Sequence, residues 1–166
     1  MIALLAAVAL TPWAHPPSFR PAAGWQSGAS GAFSSTYGPA GAVASPREAT
    51  AWTVKGVRYR DRRTADPPTA TLSRFPPGGI LVFAAVYQSA RRGARPIVLR
   101  LDRAQRYPCC DGTHVAGGEY GLAGSGPGGV YSVAVRVYFG SPPTPEMRRD
   151  AQRALDRLRL PRPRNS

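Results

Sequence analysis

Cys109-Cys110-Asp111-Gly112-Thr113-His114 is the densest run of chemically capable side chains in this chain. Thiolate, carboxylate and imidazole are all metal ligands. Their spacing argues against a structural zinc site, which takes its ligands in spaced pairs; adjacent cysteines close on one ion only with strain. No second pair is present, and the other histidine, His15, lies far upstream. A Cys–His nucleophile draws its partners from separated segments, with a third group to orient the base. That pattern is also missing, so no catalytic or metal-ligating residue is assigned. Cys109 and Cys110 are instead the candidate redox or disulfide pair. In an oxidising compartment they would form a strained, reducible vicinal disulfide or link to another chain. In a reducing compartment they would be ordinary thiols.

Other candidate motifs fail on context. Gly124-x-Gly126-x-x-Gly129 matches the dinucleotide fingerprint as a string, but that fingerprint must open a helix whose N-terminus holds pyrophosphate. Here β-branched residues follow, so the glycines are expected to form a hairpin loop, and no cofactor is assigned. The Gly-x-Ser-x-Gly elbow of serine hydrolases is absent. Paired-carboxylate catalysis needs two acids across a cleft. Asp150 and Asp156 are expected on the exposed face of a helix. Asp61 and Asp66 sit beside Arg60, Arg62 and Arg63 and are expected in salt links. Asp102 and Glu119 are candidates to meet across neighbouring strands, but nothing in the sequence requires it.

The elements that would position these groups are mostly strands. Tyr131, Val133, Val135, Val137 and Phe139 alternate with Ser132, Ala134 and Arg136, the strongest strand signal in the chain. Residues 119–122 form its hairpin partner, with residues 124–129 as the loop. Ile80-Leu-Val-Phe-Ala-Ala-Val-Tyr87 has no alternation and reads as a strand buried on both faces. Phe75-Pro-Pro-Gly-Gly79 launches it as a turn. Ile97, Leu99 and Leu101 alternate with polar neighbours and predict a further strand. Residues 51–59 read as a strand whose apolar parity changes at Gly56, so a β-bulge is expected at Lys55–Gly56. At the C-terminus the period changes. Met147, Ala151, Ala154, Leu155 and Leu158 make a helical stripe over residues 145–159, with Thr144 as N-cap and Pro145 at the first position.

The 166 residues suit one domain with one core. Gly and Pro number 18 each, which favours short strands and turns over a helical bundle. The expected fold is mainly β: an antiparallel β-sandwich-like domain over residues 50–160, with one C-terminal amphipathic helix and a tail at 161–166. Residues 15–49, rich in Pro, Gly, Ala and Ser, are expected to be a tether with at most one short strand near residues 24–30. Residues 1–14 are apolar at their start and free of charge, as in the remnant of an export signal or membrane anchor. They fall short of the roughly 20 apolar residues of a spanning helix. They also lack a basic start, which leaves two readings: a reading frame that begins inside a longer signal or anchor, favoured here, or a buried N-terminal strand or helix of a cytosolic domain.

The 22 basic residues outnumber nine acidic ones, giving a net charge of +13 and a pI of about 11.1. Such a field draws a protein toward lipid headgroups, acidic envelope polymers or nucleic acid. Arg91, Arg92, Arg95, Arg149 and Arg153 are the candidate anion contacts by charge density. No recognition-helix motif and no aromatic RNA-binding strand signature is present, which places nucleic acid second.

The run from Phe75-Pro-Pro-Gly-Gly79 through Tyr138-Phe-Gly140 and Ser141-Pro-Pro-Thr-Pro145 to the terminal helix resembles uncharacterised exported or membrane-anchored proteins of high-GC Gram-positive bacteria. The resemblance spans the last two-thirds of the chain. It implies an extracytoplasmic protein and brings over no catalytic or binding residue. The expected function is a non-catalytic exported or membrane-tethered binding or structural domain. A basic nucleic-acid-binding protein is one alternative. The other is a metal-dependent or thiol enzyme using residues 109–114.

Overall fold

The computed structural model describes residues 15–34, 47–61, 68–87, 94–107, 115–129 and 131–162. Eight strands and two α-helices are described: β1 (Ser18–Phe19), β2 (Trp25–Ser34), β3 (Arg47–Lys55), α1 (Thr69–Leu72), β4 (Ile80–Tyr87), β5 (Gln105–Tyr107), β6 (Glu119–Ser125), β7 (Ser132–Phe139), α2 (Pro145–Leu155) and β8 (Leu158–Arg159). Six strands form an antiparallel sheet in the order β2-β3-β4-β7-β6-β5, and β1 pairs with β8 in a second, two-stranded sheet. The fold is mainly β with a C-terminal helix, as the period-two segments require.

β4 and β7 are the centre of the large sheet, paired from Ile80↔Phe139 to Tyr87↔Ser132. The unbroken apolar run of β4 follows from burial on both sides. Ile80, Val82, Ala84 and Val86 face one cluster, and Leu81, Phe83 and Ala85 face another. The first cluster lies under α2 and the β1–β8 ribbon. Ala151, Ala154 and Leu155 of α2, Phe19 of β1 and Leu158 of β8 close it against Val133, Val135, Val137 and Phe139. The second cluster takes Val54, Tyr138 and Leu72 of α1, with Phe75, Val57 and Trp52 at its margin. Burying a side chain of this size stabilises by about 1.5–3 kcal/mol, so neither layer is dispensable.

α2 begins where its sequence dictates. The Thr144 hydroxyl accepts from the Met147 amide at 3.2 Å, and Pro145 occupies the first turn. It is shorter than expected: Leu155 ends it, and Leu158 enters the core from β8. The apolar stripe continues past the helix because the ribbon keeps Leu158 facing inward. Tyr131, fully buried, donates to the Pro161 carbonyl at 2.6 Å and ties down the segment after β8; burial pushes its phenol up to about 12.

Three expectations are corrected. No bulge forms at Lys55–Gly56. β3 ends at Lys55, and Gly56 turns the chain at φ 86°, a left-handed conformation that glycine adopts without strain. That turn folds Tyr59 back onto Trp52, ring on ring at 3.8 Å, which explains the parity change in the sequence. The irregularity in pairing lies instead between Ser30 and Phe33 of β2. Residues 97–100 are not a strand; Pro96 makes one parallel bridge to Ser125, and a 3-10 turn covers Leu101–Arg103. Leu101 is still buried, because its amide and the Leu99 carbonyl are held by the Gln152 side chain of α2 at 2.8 and 3.0 Å. The alternation was real, but its partner is a helix rather than a neighbouring strand. The stretch expected to be a tether contributes β1 and the ten-residue β2. Small residues such as Gly28 suit it, since the Trp52 ring occupies the space a Cβ would take there.

Asp150 is also corrected. It is buried at 7% exposure, not on the open helix face, and accepts from Lys55, the chain's only lysine, at 2.6 Å. Arg153 holds its other oxygen. The Lys55 hydrogen bond, more than desolvation opposes it, keeps the Asp150 carboxyl below the ordinary aspartate range. The pair clamps α2 to the end of β3. Lys55→Met should cost about 1–2 kcal/mol in urea unfolding, since it strips a charge-assisted bond from a poorly solvated carboxylate. A depressed carboxyl stabilises above its unfolded pKa and ceases to do so as pH falls through the folded one. The gap between wild type and Lys55→Met should therefore be full at neutral pH and close on acidification below the aspartate range. A gap that persists unchanged into acid would contradict the clamp.

Candidate functional site

Burial makes Glu119 the most unusual polar side chain on the sheet. Cross-strand pairing sets Glu119 opposite Tyr138 and Gly121 opposite Arg136, all on the face away from α2. The Arg136 guanidinium reaches the Glu119 carboxylate at 3.5 Å, with the carboxylate 9% exposed and the arginine 32% exposed. Tyr107 of β5 pairs with Glu119, and its ring covers Gly121, where any Cβ would overlap it. The result is a partly buried ion pair with an aromatic lid at one side. A carboxylate held this way is bound to its strand partner, which suits a structural role.

Asp102 and Glu119, the two acids that the strand order left free to meet, go to different partners. Asp102 pairs with Arg100 at 3.5 Å on the surface, while Glu119 points to Arg136. Asp61 forms no ion pair among the described residues. Its oxygens accept from the Ala70 and Thr71 amides at 3.0 and 2.9 Å and from the Thr71 hydroxyl at 2.5 Å. It therefore fastens the start of α1, because orphan amides at a helix start outcompete solvated arginines for a carboxylate. Asp156 is exposed as expected and accepts from Gln152 at 2.8 Å. Gly124, Gly126 and Gly129 belong to the β6–β7 hairpin, and a strand follows them.

Of the candidate anion contacts, Arg95, Arg149 and Arg153 lie among the described residues. Arg149 and Arg153 share the outer side of α2, both exposed, and Arg153 is engaged with Asp150. Arg95 is exposed at the far end of the sheet, where its carbonyl accepts from the Ser125 amide at 2.9 Å. Arg91, Arg92, Cys109, Cys110, Asp111, His114, Arg62, Arg63 and Asp66 lie outside the described residues. The sequence reading missed a different grouping. Arg106 of β5 pairs directly with Tyr120 of β6, and the Arg148 guanidinium of α2 sits 5.5 Å above that same tyrosine ring. Nothing local announces it, because Arg148 and Tyr120 meet only through the docking of α2.

Among the described residues, no three His, Cys, Asp or Glu side chains gather where they could share a metal ion. No helix among them is long and apolar enough to cross a membrane. Nothing in their arrangement indicates catalysis. Comparison with protein families, with curated proteins and with solved structures finds no match to this chain.

The Glu119–Arg136 pair is open to a double-mutant cycle. Glu119→Ala and Arg136→Met should each cost about 1–3 kcal/mol in chemical denaturation, because each removes one side of a charge pair whose carboxylate is buried. The double variant should recover about 0.5–3 kcal/mol relative to their sum. Simple additivity would mean that the two groups act independently.

Proposed function

We propose that this chain is a non-catalytic binding domain that works outside the cytosol, exported or tethered through its apolar N-terminal residues, and docks on anionic envelope polymers or lipid headgroups. The support is the unequal use of its charges. Three of its nine carboxylates are engaged within the fold: Asp61 on α1, Glu119 on Arg136, Asp150 on Lys55 and Arg153. Its arginines are largely left outside. Arg20, Arg58, Arg74, Arg95, Arg103, Arg106, Arg149, Arg157, Arg159 and Arg162 form no ion pair among the described residues. A net charge of +13 distributed this way gives an outward positive field. The uncharged residues 1–10 support the extracytoplasmic part of the reading.

Nucleic acid is the competing partner, on the strength of the pI of about 11.1. Fractionation of the native host separates the two. The envelope reading expects the protein in membrane or medium. It also expects purified protein to sediment with phosphatidylcholine vesicles carrying phosphatidylglycerol at least about tenfold better than with neutral vesicles. That preference should vanish at 1 M salt, where the Debye length falls to about 3 Å. Recovery in the cytosol with salt-sensitive retention on DNA would overturn it.

A further inference from the structure

We infer that Arg106, Arg148 and Tyr120 frame a binding site for a tetrahedral oxyanion of the phosphate class. The inference goes beyond the diffuse attraction proposed above, because it assigns a defined site. Arg106 lies opposite Tyr120 in the β5–β6 register, so both side chains stand on the α2 face of the sheet. Its guanidinium runs 3.2–3.5 Å from the Cβ position of Gly118, two residues before Tyr120 on the same strand line. The Arg148 guanidinium lies 5.5 Å from the Tyr120 ring centre. The ring is itself fixed, edge-on to buried Phe139 at 5.5 Å. One forked, permanently charged donor thus stands over the ring from α2, and a second, from β5, stands against Gly118 on the same face of the sheet.

No described carboxylate neutralises them. Glu119 is on the other face with Arg136, Asp150 is on the far flank of α2 with Lys55, and Asp102 is with Arg100. Glu146 is two residues from Arg148, about 200° around the helix. Like charges held near one another gain most from a shared anion, and paired guanidiniums match the oxygens of phosphate in a way that a point charge does not. Arg148 also stands in the first turns of α2, eleven residues long, whose positive dipole end adds to the same field. The tyrosine hydroxyl supplies a neutral donor or acceptor at the rim.

The probe is inorganic phosphate, titrated into the full chain while the Tyr120 amide and the arginine side-chain signals are followed by NMR. Saturable shifts confined to Tyr120, Arg106 and Arg148 are expected. Arg106→Gln and Arg148→Gln should each weaken phosphate binding about tenfold, and Arg106→Lys and Arg148→Lys, which keep charge and packing, should still weaken it several-fold because the fork is lost. Arg20→Gln and Arg95→Gln, equal in charge, should change it less than twofold. A second arm uses vesicles bearing phosphatidic acid. If phosphate competes the protein off them, the anion is a lipid headgroup; if phosphate binds and the vesicles show no preference for the site arginines, it is a soluble phosphate. Absent shifts at Tyr120, or control variants as damaging as the site variants, would overturn the site. The general attraction to anionic vesicles could survive that result, since it rests on the remaining arginines.

Discussion

β4 is buried on both of its faces, and that one constraint organises the molecule. A strand with no wet side needs a layer above and a layer below. The chain supplies them unequally. α2 and the β1–β8 ribbon cover one side with Ala151, Ala154, Leu155, Phe19 and Leu158. The other side is closed by Val57, Phe75, Leu72 of α1 and the Trp52–Tyr59 stack. Each layer must then be fastened at its rim, and rims are where polar groups can be afforded. Lys55–Asp150 and Gln152 fasten the two flanks of α2, Asp61 fastens α1, and Tyr131 fastens the segment after β8.

This fastening decides the electrostatic character of the surface. The chain has few acids, and three of them, Asp61, Glu119 and Asp150, are drawn into caps and clamps. The more numerous guanidiniums have flexible stems that keep their heads in solvent. A modest excess of arginine in the sequence therefore becomes a larger excess at the surface.

Patterns that repeat along the chain were legible in the sequence. The alternation from Tyr131 to Phe139, the unbroken β4 run and the Thr144-Pro145 start of α2 each carry their own structure locally. What the sequence could not reveal depends on contacts between distant segments. Asp150 sits on the flank of the apolar stripe, three residues after Met147, so its burial is decided by Lys55, which lies 95 residues away. Residues 97–101 alternate like a strand, yet the Leu99 carbonyl and the Leu101 amide go to Gln152 and the Ile97 amide to the Ser125 carbonyl. β2 is rich in Gly, Ala and Ser, a composition that also describes a linker, and only its pairing with β3 from Trp25↔Lys55 onward makes it a strand. The site residues follow the same rule. Arg149 and Arg153 were visible as a charged helix side, whereas the place of Arg106 opposite Tyr120 depends on the sheet register and that of Arg148 over the same ring on the helix docking.

The proposed attraction to anionic envelope polymers rests on the arginines that form no ion pair among the described residues. The salt dependence of binding to a soluble polyanion tests it most directly. Log Kd against log salt for polyphosphate and for heparin should give steep slopes of similar size, because each neutralised phosphate or sulfate releases close to one counterion. A shallow slope, or no binding to either polymer at low salt, would contradict the account.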